Sequence, residues 1–385
     1  MRLTHLLLKN WRNFKTVDIP VADRLFIVGP NASGKSNLLD ALRFLRDIAG
    51  TGGGLQQAVG ERGGLKRVRC LAARNYNKGR VGLEVRLCDS TNGTRWHYEL
   101  HLTAESRGLH RPIVTSEIVR MNDEIILQRP NRDDEEDKER LTQTALEQVN
   151  SNRRFRAVVE FLTGVRYLHL VPQIIRDPET SQSRGSDPFG RDFLVRVAET
   201  SEKRRESRLK QVNEVLRVAV PQIEELQLIR DAAGTPHLQA RYQHWRMKGA
   251  LQEEQDFSDG TLRLIGLLWM LQENASKSNR VVLLEEPELS LHAAVVRQLP
   301  SMLSRVTRRK GIQVILSTHS TELLADPGLG LHEVVTLHPG DEGTTATMAA
   351  DIADVEEYLG AGLHLPEILE PLTRPEGIEQ LSLFG

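Results

Sequence analysis

Eight residues near the start of the chain have the types and spacing of a loop that binds nucleotide phosphates. Gly29 to Ser36 read G-P-N-A-S-G-K-S and fit the pattern G-x-x-x-x-G-K-[ST]. An apolar run precedes this phosphate loop and a segment with helical spacing follows it, so backbone N–H groups and a helix N-terminus would surround the β- and γ-phosphates. Lys35 would reach the terminal phosphates, and Ser36 would place its hydroxyl on Mg²⁺. The residues expected to bind the nucleotide are Gly29, Asn31, Ser33, Gly34, Lys35, Ser36 and Asn37.

Carboxylates follow an apolar run in the C-terminal half of the chain. Val281 to Leu284 predict a buried strand, and Glu285 and Glu286 come directly after it. Because ligands bind at the carboxyl ends of strands in doubly wound sheets, two acids at this place could share metal binding and water activation. The next apolar run ends at His319, within the sequence Ser-Thr-His-Ser. A histidine therefore ends a second strand of the same kind.

A small polar turn precedes both of these strands. Ser258 to Thr261 read S-D-G-T and open a helix, which makes the turn a second anion-binding helix terminus. The chain thus has two phosphate-binding turns but one acidic strand end. This imbalance indicates that the second turn serves the nucleotide bound to another copy of the chain.

The order of these motifs resembles that of the ABC-type ATPases, and within them that of the RecF/SMC-like branch of soluble ATPases. Asn10 to Phe14 (N-W-R-N-F) is similar to the N-F-R-[SN]-F opening of that branch, and the resemblance covers residues 1 to about 340. It implies ATP and Mg²⁺ as cofactors of an α/β fold, an ABC-type P-loop ATPase head with a mixed central sheet, an antiparallel β layer and a helical lobe. The implied roles are Glu286 as general base, Lys35 and His319 as catalytic side chains at the γ-phosphate, Ser36, Gln173 and Glu285 at Mg²⁺, and Ser258 and Gly260 at the γ-phosphate of the partner protomer.

Two positions depart from the usual ABC pattern. Position 285 is Glu where most ABC proteins have Asp, which lengthens the side chain by one methylene. The signature turn, Ser258–Thr261, reads S-D-G-T instead of S-G-G-Q. Both variants occur in the soluble branch and are interpreted as marks of the subfamily. Gln173, in Leu-Val-Pro-Gln, resembles the Q-loop glutamine, with a plain strand-end residue as the alternative.

The composition is that of a globular protein without a membrane span. The 385 residues are 27% charged and 39% hydrophobic with a net charge of −1, so binding to a polyanion must come from local patches. Cys70 and Cys88 lack metal-ligand spacing and are expected to be buried apolar residues, which suits a reducing cytoplasm. The longest apolar run, Leu264 to Leu271, is too short to cross a bilayer. The sequence predicts a cytoplasmic protein.

Periodicity and turn signals predict the elements that position these residues. We expect an ATPase head built from residues 1–175 and 257–345, a helical lobe over 176–256 and a C-terminal tail over 346–385. The charge run at 131–140 is expected to be a solvated loop entering a helix. The predicted strands are Leu3–Leu8, Leu25–Val28, Val81–Cys88, Thr94–Leu102, Ile113–Arg120, Glu124–Gln128, Arg166–Val171, Ile223–Ile229, His237–Tyr242, Val281–Leu284 and Gln313–Leu316. The predicted helices are Ser36–Leu45, Asp192–Ala219, Thr261–Leu271 and Ala293–Val306.

The favoured function is an ATPase of DNA repair, replication maintenance or defence, in which two copies form a homodimer when they bind ATP. The alternative is the nucleotide-binding subunit of an ABC transporter. Lys35, Gln173 and Ser258 lie much further apart than the matching motifs of those subunits, which argues against it. Too few residues follow His319 for a fused nuclease, so a nuclease or other effector would be a separate partner.

Basic and apolar segments indicate further partners. The preferred DNA-contact site is a basic patch after the glycine-rich stretch, with an ordinary solvated surface as the alternative. The last residues, Q-L-S-L-F, are similar to the peptide with which bacterial replication and repair proteins bind the sliding clamp; the alternative is a tail folded back onto the core. The basic patch comprises Arg62, Lys66, Arg67 and Arg69, and the clamp contacts would be Gln380, Leu381, Leu383 and Phe384.

Overall fold

Three β-sheets organise the residues that the computed structural model describes, which are 1–72, 79–176, 187–243, 250–273 and 281–374. Helices cover both faces of the central sheet. The strands are β1 (Arg2–Trp11), β2 (Phe14–Pro20), β3 (Arg24–Val28), β4 (Val81–Cys88), β5 (Arg95–Ala104), β6 (Pro112–Met121), β7 (Glu124–Arg129), β8 (Arg166–Leu168), β9 (Ile223–Arg230), β10 (Pro236–Tyr242), β11 (Ala250–Glu253), β12 (Val281–Glu285), β13 (Gln313–Thr318), β14 (Val334–His338) and β15 (Thr345–Met348). The helices are α1 (Lys35–Ala49), α2 (Leu55–Glu61), α3 (Leu65–Val68), α4 (Arg132–Glu136), α5 (Arg156–Thr163), α6 (Pro172–Ile175), α7 (Phe193–Glu199), α8 (Glu202–Ala219), α9 (Asp259–Glu273), α10 (Ala293–Val296), α11 (Leu299–Lys310), α12 (Thr321–Leu324), α13 (Val355–Gly360) and α14 (Leu365–Thr373).

The central sheet has the strand order β15-β14-β3-β13-β12-β8. Its strands are parallel except for β15, which pairs antiparallel with β14. Successive residues of a strand enter different cores: Ile27 and Leu283 pack with α1, whereas Phe26 and Val282 pack with α9 and α11. Burial on both faces explains why these strands are continuous apolar runs in the sequence. The mixed α/β architecture is therefore confirmed.

The second sheet is the antiparallel layer, with the order β2-β1-β4-β5-β6-β7. Its inner face joins the core of α1, and its outer face carries polar and charged side chains, so burial alternates along β4 and β5. The predicted strand Val81–Cys88 is confirmed in full. The bounds of β5, β6 and β7 differ from prediction by at most two residues, whereas β1 ends three residues later than predicted. The predicted layer of four strands is extended by β1 and β2.

Between β8 and α9 the chain forms helices and a third sheet, β11-β10-β9, against which α8 packs. The predicted helix Asp192–Ala219 is two helices, because the chain leaves helical geometry at Thr200 and Ser201 before α8 begins. The predicted helix Ala293–Val306 is likewise divided into α10 and α11. Pro300, in the first turn of α11, lacks the N–H that a continuous helix would need.

Two further predictions are corrected by contacts distant in sequence. The strand predicted over Arg166–Val171 ends at Leu168, because the N–H groups of His169 and Val171 donate instead to Pro188 and Phe189. The charge run at 131–140 forms the short helix α4 and is not wholly solvated, because Asp134 is fully buried against Arg129. Their ion pair, at 2.8 Å, ties α4 to the end of β7.

Candidate functional site

The phosphate loop joins β3 to α1 in a backbone conformation that requires glycine at its end. Gly34 has φ of 99°, and a Cβ added there would lie 2.2 Å from the side chain of Asn13. Asn13 Nδ2 donates to Ser33 O at 2.7 Å, and Asn37 Nδ2 donates to Asn13 Oδ1 at 2.9 Å. The loop is therefore held from behind by the turn between β1 and β2. Asn13 lies in the N-W-R-N-F motif, but the sequence alone does not indicate this role.

Lys35 lies almost buried within its own loop. Its Nζ donates to Gly29 O at 2.9 Å and to Pro30 O at 3.0 Å. Burial lowers the pKa of Lys35 to about 8, although the nearby carboxylates of Glu285, Glu286 and Glu288 oppose that shift. An ammonium that is desolvated and bonded to neutral carbonyls would gain most from an anion placed beside it. The loop thus fits a phosphate-bearing ligand.

The hydroxyl of Ser33 is a second feature of the loop that suits a ligand. This hydroxyl is fully buried and makes no hydrogen bond to any described residue. Asn31 and Ser36 are exposed on the same loop. Loop N–H groups, an orphaned hydroxyl and an ammonium together form a donor set that suits nucleotide phosphates.

The predicted metal side of the site brings Ser36 and Glu285 into contact. Ser36 Oγ donates to Glu285 Oε1, and the hydroxyl of Tyr167 donates to Glu285 Oε2. A hydroxyl beside a carboxylate is an oxygen donor set that suits Mg²⁺. Burial, followed by the bond to Glu285, raises the pKa of Tyr167, so the phenol remains a donor. Tyr167 belongs to no motif in the sequence, and its role becomes visible only from the pairing of its strand with β12.

Lys35, Glu286 and His319 form a continuous chain at the carboxyl ends of the central strands. His319 Nε2 lies 3.1 Å from Glu286 Oε1, and Lys35 Nζ lies 3.4 Å from His319 Nδ1. Burial and the charge of Lys35 lower the pKa of His319, which favours the neutral ring. A neutral ring that accepts from Lys35 at Nδ1 carries its proton on Nε2 and donates to Glu286. The structure thus brings together the three residues predicted to be catalytic.

Backbone geometry fixes where Glu286 points. Its φ is 43°, a left-handed conformation that glutamate seldom adopts, and its N–H donates to Ser317 O on β13 at 3.1 Å. The buried Glu288 accepts from Thr318 Oγ1 and from the N–H of His319 at 3.2 Å. Burial raises the pKa of Glu288. Glu288 therefore links the acidic strand end to the histidine strand end, a role that sequence reasoning had not assigned.

The signature turn lies at the start of α9. Ser258 Oγ accepts from Thr261 N at 3.2 Å, as an N-terminal capping residue does. Ser258 is exposed, whereas Phe257 and Thr261 on either side are buried. A Cβ on Gly260 would lie 2.3 Å from Ser290 O, so the close approach of the segment after β12 requires glycine here. The turn therefore packs closely against the segment after β12, and Ser258 is exposed to solvent.

Gln173 lies against the signature turn. Its Nε2 donates to Asp259 Oδ2 at 2.8 Å, and Arg176 forms an ion pair with Asp259 Oδ1 at 2.6 Å. The sequence-based assignment of Gln173 to the metal remains a prediction. Sequence reasoning gave Arg176 no role, because its partner lies far along the chain.

Arg62, the first residue of the predicted DNA-contact patch, points into the protein and not to the surface. The Arg62 side chain is 7% exposed and binds Asp40 and Asp47 of α1 at 2.8 and 2.9 Å. A guanidinium committed to two carboxylates in the interior cannot also contact a phosphate on the surface. Lys66 and Arg67 are exposed, so they are the members of the patch that remain accessible. The clamp contacts predicted at 380–384 lie outside the described residues.

Two protein-family models match the chain. The family described as "AAA domain, putative AbiEii toxin, Type IV TA system" matches residues 25–325, and the "P-loop containing region of AAA domain" matches residues 3–45. No curated protein matches the chain. None of the helices in the described ranges has the length and apolar character needed to span a bilayer.

Solved SMC head domains have a similar fold. One, described as the "SmcHead bound to the C-winged helix domain of ScpA", has a TM-score of 0.56 at 14% identity and covers 96% of this chain and 100% of that chain. The SMC head domain from Thermotoga maritima has a TM-score of 0.50 at 15% identity, covering 90% and 99%. A third, with an extended coiled coil and bound to the C-terminal domain of ScpA derived from Pyrococcus furiosus, has a TM-score of 0.52 at 12% identity, covering 93% and 99%. At these identities the likeness establishes the fold alone.

Proposed function

The chain belongs to the AAA domain family matched over residues 25–325, and from that premise we propose that it is an ATPase whose two copies join around ATP and act on DNA in repair, replication maintenance or defence. The observation that carries the proposal is the placement of the two anion-binding turns. Lys35 contacts His319 and Ser36 contacts Glu285 of the same chain, whereas Ser258 is exposed and bonded within its own turn. A two-fold dimer would let each Ser258 complete the partner's site.

In this mechanism ATP stabilises the dimer for as long as it is intact, because it binds the joined form better than the separate chains. Lys35 would bind the terminal phosphates, and Ser258 of the other copy would contact the γ-phosphate from the opposite side. When Mg²⁺ is bound, Ser36 and Glu285 would hold it, and it would supply positive charge to the phosphate oxygens.

Glu286 is the proposed general base. Its carboxylate would take the proton of a water molecule as the water oxygen attacks the γ-phosphorus in line with the leaving oxygen of ADP. In the structure Glu286 Oε1 is engaged by His319 at 3.1 Å. His319 would then have to turn from Glu286 toward the phosphate, which would free the carboxylate for water. Hydrolysis would remove the γ-phosphate that both copies share, and the pair would separate.

The dimer proposal is tested by trapping. The Glu286→Gln variant should form a stable dimer with ATP and a monomer without it, because the amide cannot accept the water proton. Adding Ser258→Arg should abolish the dimer, whereas Ser106→Arg, at an exposed serine of the antiparallel layer, should leave it intact. Light scattering coupled to size exclusion measures the mass. A monomeric Glu286→Gln variant at saturating ATP would refute the proposal.

DNA is the proposed substrate of the motion, through phosphate contacts that carry no sequence information. The exposed Lys66 and Arg67 are the candidate contacts. Replacing both with Gln should make the slope of log affinity against log salt concentration less steep by about 2. An unchanged slope would show that Lys66 and Arg67 do not contact DNA phosphates. Binding to gapped, nicked and intact duplexes would show which DNA form is preferred.

Two partners remain proposals that rest on the sequence. The C-terminal Q-L-S-L-F segment is proposed to bind the sliding clamp. A pulldown with the clamp that compares the full chain with a chain ending at Glu379 tests this. Equal retention of the two chains would refute binding through the tail. A separate nuclease or other effector is the second proposed partner. No specific observation favours the transporter alternative.

A further inference from the structure

The turn proposed to contact the partner's γ-phosphate carries a carboxylate of its own. Asp259 directly follows Ser258 and begins α9, and its side chain is 36% exposed. A terminal phosphate carries roughly two negative charges near neutral pH. A carboxylate beside it would repel it in a partly desolvated interface, where charges interact more strongly than in water. The site therefore needs a compensating positive charge next to Asp259.

Two side chains of the segment around α6 bind both oxygens of this carboxylate. Arg176 pairs with Oδ1 at 2.6 Å, and Gln173 donates to Oδ2 at 2.8 Å. Arg176 also donates to Phe257 O at 2.5 Å, so one guanidinium holds the residues on both sides of Ser258. Its own side chain is 24% exposed, which places the pair at the edge of the turn rather than in the core.

Arg263 is a second cation in the neighbourhood. It lies one helical turn beyond Asp259 on α9, and its charge interacts with Asp259 but also with Glu286 and Glu288. Arg263 is buried, and its Nε and Nη1 make no hydrogen bond to the described residues. Arg176 is therefore the cation in direct contact with the carboxylate.

We propose that Arg176 is a positioning residue for hydrolysis in trans: it neutralises Asp259, so that the signature turn of one protomer can accept the γ-phosphate bound to the other. The inference rests on the proposed function, since it requires the ATP-bound dimer. It also explains how an aspartate can stand in a turn that faces a phosphate. Without Arg176 the turn would carry a net negative charge toward the ligand.

A purely structural role makes a different prediction. If Arg176 mattered only because it anchors Phe257 O, removing the Asp259 charge would not repair its loss. If Arg176 neutralises Asp259, the loss of Arg176 should be repaired by Asp259→Asn, which removes the charge and can still accept from Gln173. Salt separates the two roles as well, because ions screen repulsion but do not replace a lost anchor.

The experiment measures the dimer dissociation constant at saturating ATP by sedimentation, with Glu286→Gln as the parent. Arg176→Gln should weaken the dimer about tenfold or more, equivalent to about 1.4 kcal/mol. The Arg176→Gln/Asp259→Asn double variant should return to within about threefold of Asp259→Asn, and the defect of Arg176→Gln should shrink between about 0.05 and 0.5 M salt. Arg241→Gln, which breaks a surface pair with Glu225, is the matched control and should have no effect.

Two results would overturn the inference alone: an Arg176→Gln dimer as tight as the parent, or a double variant as weak as Arg176→Gln. A parent that does not dimerise with ATP would instead refute the proposed function and the inference with it. Circular dichroism of each variant shows whether the turn and its helix remain folded.

Discussion

Arg62 offers a direct test of whether the basic segment after the first helix faces DNA or the protein interior. Its guanidinium makes Nε and Nη2 bonds of 2.8 to 3.1 Å to Asp40, and a further 2.9 Å bond to Asp47. Burial raises the pKa of Asp40, but the bonds from Arg62 and Arg12 outweigh it and hold that pKa below its usual value. The carboxylate is therefore charged and is held chiefly by these two cations, with Arg43 as a third at 3.9 Å.

The Arg62→Met variant keeps much of the side-chain volume and removes the charge. Breaking a buried ion pair from one side costs about 3 to 5 kcal/mol, because the remaining charge is left in the interior. Arg12 still donates to Asp40 at 2.9 Å, so we expect the lower end, about 3 kcal/mol. Urea unfolding at pH 7 should show a lower midpoint with an unchanged slope.

The pH dependence identifies the cause. A carboxyl group whose folded pKa is depressed contributes stability above its unfolded pKa and loses it as the pH falls through the folded value. In Arg62→Met the pKa of Asp40 should rise, so the difference from the parent should narrow as the pH falls below about 4. Arg67→Met, at an exposed position, is the control and should stay within about 0.5 kcal/mol of the parent. If Arg62→Met unfolds at the same urea concentration as the parent, the argument for an interior role is wrong.

Three further predictions concern the nucleotide site and the antiparallel layer. Burial lowers the pKa of Lys35 to about 8, and bound phosphates favour its charged form. The affinity for ATP, titrated in EDTA, should therefore fall about tenfold per pH unit between about pH 8 and 10. An affinity that does not change with pH would contradict this. His97, whose Nε2 lies 2.9 Å from Glu84 Oε1, is the largest cause that lowers the pKa of Glu84 to about 2. Because this carboxylate is partly solvated, Glu84→Gln should cost about 1 to 2 kcal/mol at pH 6, and the difference should shrink as the pH falls from about 4.5 toward 2. Urea midpoints across this range measure it, and a constant difference would refute it. Tyr167→Phe removes a hydrogen-bond donor to Glu285. In a Mg²⁺ titration of nucleotide binding, the gain in ATP affinity that Mg²⁺ brings should be about fivefold smaller, equivalent to about 1 kcal/mol. An unchanged gain would show that Glu285 is positioned without the phenol.

Most of the fold could be predicted because local pattern and burial agree along the chain. The strands of the central sheet are apolar on both faces, so β12 and β13 read as uninterrupted hydrophobic runs. In the antiparallel layer, alternation and a Ser-Thr-Asn-Gly turn fixed β4 and placed β5 to within two residues. The phosphate loop was recognisable because its chemistry depends on consecutive residues.

Features that depend on distant partners could not be predicted. Arg62 belongs to a basic cluster in the sequence, and only the folded position of Asp40 and Asp47 shows that it points inward. The same holds for Asp134, which lies in a charge run but is buried by Arg129. A run of charges predicts solvent exposure on average, whereas a single member with an ionic partner can be buried.

Side chains from one segment of the chain bind both residues that depart from the usual ABC pattern. Glu285 is longer than the usual aspartate by one methylene, and Tyr167 of β8 binds its second oxygen. Asp259 adds a charge to the signature turn, and Arg176 binds it only a few residues after that strand. Because residues 166–176 touch both the metal side of one site and the turn proposed to serve the partner's site, a shift of this segment would change both together. We therefore expect this segment to be where binding in one site alters the other.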